Sequence, residues 1–283
     1  MLAPSPGIYH DVPEAQYRAW DAVNISSLLD IDEYSPAHYK ANLESPDTPT
    51  EAKFMGSAIH CHVLTPDLFN GIYAVGPDVD KRSKAWKDFV NGNEGKFHLT
   101  GKQYEIVHGV SLAATELDTL GLLQGGWSEV SMVWVDPQTG ILSKGRLDHL
   151  AGLSIMDLKT TRDAREKEFA WDYYKFHYYV KAAWYMQGLF HASMQGGKEP
   201  IEAEVFHIYA IEKVPPYGGI HYKCHEVDLM LGEVRIEAML KTLKKCIDTG
   251  TWPKYKPGAR TIRIPGSKQP VGWDILNGGF DDE

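Results

Sequence analysis

Cysteine is nearly absent: Cys61, Cys224 and Cys246 are the only three in 283 residues, and none pairs with another in a CxxC spacing. That argues against a disulfide framework and against a zinc or iron–sulfur cluster. Long apolar runs are missing as well, and no stretch reaches the roughly 18 residues that a membrane-crossing helix needs. The opening Met1-Leu2-Ala3-Pro4-Ser5-Pro6-Gly7 has neither the basic nor the apolar region of a secretory signal. The expectation is a cytoplasmic protein with no membrane partner. Positive charge is in deficit, with 29 Lys+Arg against 38 Asp+Glu and a formal charge of −9. Such a total speaks against coating nucleic acid along the whole surface, yet permits a basic groove in an acidic shell.

What is present is an ordinary globular mixture, 43% hydrophobic, 24% charged and 11% aromatic. A chain of this length can fold as one domain that buries roughly three quarters of its unfolded surface. Prolines punctuate the first 50 residues, around a short helical pattern at Ile25–Leu29 with Asn24 or Ser26 as its cap. A helix is expected over 54–64, stopping before Pro66, and a polar stretch over 81–96. Helical spacing covers 102–123. The pattern then turns to strands at 127–135, 141–149 and 153–159. A long aromatic helix over 167–194, strands at 202–212 and 219–227, and a helix over 229–247 complete the order. This predicts an α/β (α+β) fold with helices on both sides of a mixed sheet.

The informative residues are Gly145-Arg146-Leu147-Asp148 and Ile155-Met156-Asp157-Leu158-Lys159-Thr160-Thr161. Alternation along a strand puts Asp157 and Lys159 on one face, about 7 Å apart, after Leu153 and Ile155, with Met156 and Leu158 on the other. Asp148 and Glu129 can bring further carboxylates to the same sheet edge. Converging carboxylates repel, and a hard divalent cation such as Mg²⁺ or Mn²⁺ removes that penalty. A neighbouring lysine then suits phosphodiester hydrolysis, orienting or helping to deprotonate the attacking water. A D-x-K tripeptide by itself is equally an ion pair on a strand surface. The GRxD nine residues upstream and the β-meander favour the catalytic reading.

With these motifs the chain resembles the PD-(D/E)xK nuclease superfamily, and within it the nuclease domain of the phage-type exonuclease VIII (RecE) group. The likeness also rests on Gly7-Ile8-Tyr9, Ile25-Ser26-Ser27-Leu28-Leu29, Met55-Gly56-Ser57-Ala58-Ile59-His60-Cys61, Asp136-Pro137-Gln138-Thr139-Gly140-Ile141-Leu142, Tyr178-Tyr179-Val180-Lys181-Ala182-Ala183-Trp184-Tyr185 and Thr251-Trp252-Pro253. It implies a restriction-endonuclease-like core over 54–250 in a single 1–283 domain, preceded by a helical and loop segment (1–50) and followed by a basic, then acidic tail (251–283). It further implies that His60, Asp148, Asp157 and the Leu158 carbonyl bind Mg²⁺, with Mn²⁺ as a substitute. Lys159 would be the catalytic lysine, and Glu129 an additional acid. Tyr185 matches the Q-x-x-x-Y helix, but Lys181 stands where that signature carries glutamine, and a lysine meets phosphate as a point charge. The resemblance implies 5′→3′ digestion of double-stranded DNA from its ends in recombination, a single-strand annealing protein as partner, and a ring-like homo-oligomer. An endonuclease of the same superfamily and a non-catalytic DNA-binding recombination protein are the alternatives.

Three further readings concern DNA contact. Ser26 and Ser27, near a helix start, can bind phosphate or merely cap the helix. Lys254, Lys256, Arg260, Arg263 and Lys268 form an acid-free basic strip, as a phosphate-tracking groove or a solvated tail would. Lys81, Arg82, Lys84 and Lys87 surround Trp86, which is a candidate for stacking on a base.

Overall fold

The valine- and tryptophan-rich run from Trp127 forms the strand on which a six-stranded mixed sheet is built. The computed structural model describes residues 1–45, 48, 50–255, 258 and 262. The chain begins with β1 (Gly7–Tyr9), α1 (Glu14–Ala19), α2 (Ile25–Glu33), α3 (Pro36–Glu44), α4 (Glu51–Leu64) and α5 (Pro66–Ile72). Next come β2 (Tyr73–Val75), α6 (Lys84–Asn91), β3 (Phe97–Leu99) and α7 (Gly101–Leu117). The meander β4 (Trp127–Val135), β5 (Leu142–Ala151) and β6 (Ser154–Thr161) follows. The remainder is α8 (Glu166–Lys175), α9 (Tyr178–Gln195), β7 (Val205–Glu212), β8 (Gly219–Lys223) and α10 (Glu226–Thr249). The sheet order is β1-β4-β5-β6-β7-β8, and β2 and β3 pair separately. Only β6 and β7 run parallel in the large sheet, and α8 and α9 supply the crossover that parallel neighbours require.

Alternation gives the sheet two buried faces. Ile155, Phe206, Ile208 and Ala210 pack with residues of α2, α9 and α10. Met156, Leu158, Tyr209 and Ile211 pack with α4, α5 and α7. The expected mixed sheet with helices on both sides is therefore the observed architecture. Residues 1–253 cluster as one compact unit. Of the basic strip only Lys254 is described; Lys256, Arg260, Arg263 and Lys268 lie outside the described residues. No described helix is long and apolar enough to cross a membrane.

Several elements differ from the expectation. The helix expected over 167–194 is two helices, because His177 takes a left-handed conformation with φ 54° between α8 and α9. The His177 imidazole is held there by Glu33 at 2.5 Å and lies 3.1 Å from Arg235 Nη1. Leu153 sits in the turn before β6 and is 44% exposed, so it does not join Ile155 on the inner face. Trp86 is buried, on α6 inside the stretch read as polar, and its ring packs on Phe89. It has no free face for a base; Lys81, Arg82, Lys84 and Lys87 around it are exposed.

The seating of α10 on α9 depends on a bare backbone. A Cβ at Gly232 would lie 2.8 Å from the Tyr179 carbonyl oxygen and 2.9 Å from the Ala183 Cβ. Gly56 in α4 has nothing within 4 Å of the same position. Gly232→Ala is expected to lower stability by about 1–3 kcal/mol through overpacking. Gly56→Ala should be neutral or stabilise by up to about 1 kcal/mol through helix propensity. Urea midpoints of the two variants check the contrast.

Candidate active site

β5 and β6 pair only at Ala151↔Ser154, Leu150↔Ile155 and His149↔Met156. The ladder ends where Asp148 would next face Asp157, while β6 stays paired with β7 as far as Thr161. Into the opening the Leu158 N–H donates to Asp148 Oδ2 at 2.8 Å, in place of a strand carbonyl. N–H and C=O of one strand residue point the same way, so the Leu158 carbonyl also faces the gap. Lys159 Nζ lies 3.4 Å from that oxygen. The carboxylates thus meet within the sheet, between its two central strands. They are not at its edge, as the sequence had suggested, because β7 and β8 extend the sheet past β6.

α4 brings His60 to the same place, with Nδ1 3.6 Å from Asp148 Oδ1. Asp157, only 6% exposed, forms an ion pair with Lys159. Burial works against the Asp148 charge, but His60, Lys159 and the Leu158 N–H outweigh it and hold the carboxyl well below its ordinary range. Asp157 is raised by burial and by Asp148, against the pull of Lys159. Burial also opposes the Lys159 ammonium, yet Asp157 and Asp148 keep it charged well above neutral pH. His60 is pushed down by burial and, more strongly, up by Asp148. Two carboxylates that disturb one another, one buried and one half-buried, are what a cation relieves.

Among the described residues no three or more His, Cys, Asp or Glu side chains are arranged as they stand to hold a metal ion. By chemical type, though, two carboxylates, an imidazole and a backbone carbonyl suit a hard divalent ion that keeps several waters. Glu129 is engaged elsewhere. It has φ 54° within β4, its Oε2 is 2.8 Å from Arg146 Nε, and its carbonyl accepts from the same nitrogen at 3.3 Å. Burial and Asp148 push its carboxyl up to about 7, with Arg146 and His60 opposing.

Sequence reasoning missed the contacts that tie the N-terminal segment to β5. Buried Lys144 donates to the Tyr17, Arg18 and Trp20 carbonyls at 3.1, 3.1 and 2.6 Å. Arg146 donates to the Val12 carbonyl, and both cations lie over the Tyr17 ring, at 5.1 and 5.3 Å from its centroid. Tyr17 stands in no motif, and Arg146 was visible only as part of GRLD. Tyr178 was also missed as a functional ring: the Lys159 and Lys181 ammonium groups each lie 5.5 Å from its centroid. Lys181 therefore points towards the lysine and carboxylates, and burial followed by Lys159 lowers its pKa. Tyr185 is half-buried, stacks on Phe206 at 6.3 Å, and is raised by burial and then by the Asp157 charge.

Ser26 and Ser27 are not brought to this place. Asn24 is the cap of α2, accepting from the Ser27 N–H at 3.0 Å and donating to its hydroxyl at 3.1 Å. Ser27 lines a cleft with Thr139, Leu142 and Lys244. Leu142 starts β5, about 20 Å along the strand from Asp148. Ser26 is exposed on α2.

Comparison with known proteins fits this geometry. Residues 24–264 match the model of a PDDEXK-like domain of unknown function (DUF3799). A crystal structure of a Eubacterium rectale protein provisionally named an exonuclease superposes with TM-score 0.56 at 14% identity, over 96% of this chain and 100% of that one. At that identity the likeness concerns the fold. The structure of SSO0001 is 16% identical over 48% of this chain and 63% of that one, with TM-score 0.28, and carries no argument. No curated protein matches the chain.

The raised Glu129 carboxyl has a consequence for stability. The folded protein holds a proton there that the unfolded chain gives up near 4.5, so this group's contribution is lost as pH rises from about 4.5 through about 7. Glu129→Gln should therefore gain stability relative to wild type between pH 5 and pH 8. Urea unfolding at both values checks it; an unchanged difference would contradict the assignment.

Proposed function

The chain belongs to the PDDEXK-like family of unknown function, and so to the PD-(D/E)xK nuclease superfamily; from that premise we propose that it is a divalent-metal-dependent deoxyribonuclease that digests duplex DNA from an end. The observation that carries this reading is the interrupted β5–β6 ladder, which gathers Asp148, Asp157, the Leu158 carbonyl, Lys159 and His60 around one gap. Mg²⁺, or Mn²⁺ in its place, would be held by Asp148, Asp157 and the Leu158 carbonyl with His60 in support, and would supply charge neutralisation at the scissile phosphate and a more acidic water.

The residues of the chain then divide the remaining work. Lys159 stays protonated beside Asp157, so it orients the attacking water and stabilises phosphate charge as a hydrogen-bond donor, not as a base. Asp148 stays ionised, and its second oxygen is fixed by the Leu158 N–H. Tyr185 and Lys181, both on α9, would meet the DNA backbone. Glu129, paired with Arg146, shapes the site from β4 and adds negative charge above about pH 7. The 5′→3′ direction, the role in recombination, a single-strand annealing partner and a ring-like homo-oligomer follow from the likeness to exonuclease VIII.

Asp157→Ala and Lys159→Ala should each reduce Mg²⁺-dependent digestion of linear duplex DNA by about 10²–10³-fold or more. Covalently closed circular DNA should survive the wild-type protein. Full activity in both variants would end the nuclease reading, and cutting of the circle would make it an endonuclease.

A further inference from the structure

Helix α8 has two chemically different sides. Phe169 is buried and stacks on Tyr222 with ring centroids 5.1 Å apart, and Tyr173 also turns inward, towards Tyr179. At 100° per residue the opposite arc carries Lys167, Trp171, Tyr174 and Lys175. Trp171 is 67% and Tyr174 62% exposed. Of the helix's acids, Glu166 lies well away from that arc, exposed Glu168 borders it beyond Lys175, and Asp172 is occupied by the Thr161 hydroxyl at 2.9 Å. Neither lysine of the arc is in an ion pair among the described residues.

The arc continues into the site. Lys175 Nζ lies 5.4 Å from the centroid of the Phe176 ring, itself 43% exposed. Phe176 is 5.8 Å from Tyr178, whose ring is shared by the ammonium groups of Lys159 and Lys181. Rings and cations thus run from Lys159 through Tyr178, Phe176 and Lys175 towards the exposed arc of α8.

We propose that this track binds single-stranded DNA at the mouth of the site, with bases stacked on Trp171, Tyr174 and Phe176 and phosphates on Lys167 and Lys175. That the strand belongs to the substrate rests on the nuclease reading; that the arc binds it does not. Aromatic faces take any base, but only from a strand whose bases are unstacked from a partner. Charge complementarity selects nucleic acid over a protein partner. The exposed apolar residues of α10 make the contrast: Val227, Met230, Leu231 and Val234 are aliphatic and interspersed with Glu226, Asp228 and Glu233.

The test uses the full chain and a fluorescently labelled mixed-sequence 20-nucleotide strand, with EDTA present so that binding is read without hydrolysis. Trp171→Ala/Tyr174→Ala should weaken binding at least tenfold, while Trp171→Phe/Tyr174→Phe stays within about threefold of wild type. Lys167→Ala/Lys175→Ala should flatten the slope of log affinity against log salt by about 1. Unchanged affinity in the double alanine variant overturns the proposal. So does a change of sedimentation with DNA binding intact, which would mark the arc as a protein interface, and so does a wild type that binds no single strand. A parallel assay of wild-type hydrolysis with Mg²⁺ separates the two readings. Binding that depends on the arc, without hydrolysis, keeps the track and removes the nuclease; hydrolysis with arc-independent binding does the reverse.

Discussion

A buried carboxylate, Asp157, and a half-buried one on the next strand, Asp148, are costly to charge together without help, and the site is organised around supplying it. Asp157 has the Lys159 ammonium, and Asp148 has His60 and the Leu158 N–H. Each partner comes from an element placed for other reasons. β6 is held by its parallel pairing to β7, α4 is anchored by Met55, Ala58 and Ile59 in the second core, and β5 is held by β4. The opposed directions of Asp148, held low by His60, Lys159 and the Leu158 N–H, and Asp157, pushed up by burial and by Asp148, reflect the mutual repulsion of the two carboxylates. The divalent cation proposed for this site would relieve that repulsion.

Around this centre the chain uses long cations as structural pins. Lys144 gathers three carbonyls at the end of α1 while its own carbonyl accepts from the Trp184 indole at 3.1 Å. One residue of β5 therefore ties the N-terminal segment below to α9 above. Arg146, two residues on, does the same between Val12 and Glu129. A buried lysine is costly unless its donors are satisfied, and three carbonyl partners meet that condition.

Strand periodicity, the GRLD and DLKTT motifs and the G-x-A-x-H helix made the sheet and the core of the site legible in the sequence. Alternation in β6 put Asp157 and Lys159 on the face of Ile155, and there they lie. What alternation could not show is that β5 and β6 part at Asp148, since loss of pairing leaves no mark in composition. The break at His177 was hidden because it depends on Glu33 and Arg235, far away in sequence. Trp86 looked available among lysines because the ring contacts that bury it come from Phe89 and from the backbone near Gly76. Ser26 and Ser27 looked like a phosphate site because any helix start does; only the position of Leu142 in β5 shows how far away they are.

The backbone of Leu158 gives the site a part that no codon specifies. Its N–H fixes Asp148 and its carbonyl faces the gap, whichever side chain the residue bears. That part is inherited from register: a one-residue insertion or deletion in the Gly152–Leu153 turn would exchange the groups pointing into the opening for those now bonded to β7, and would send Asp157 to the opposite core. Sequence drift at position 158 is thus constrained by packing with Met156 and Tyr209, and the length of the turn before β6 by chemistry. Two kinds of variation, substitution and length change, are filtered here by different physical demands on adjacent residues.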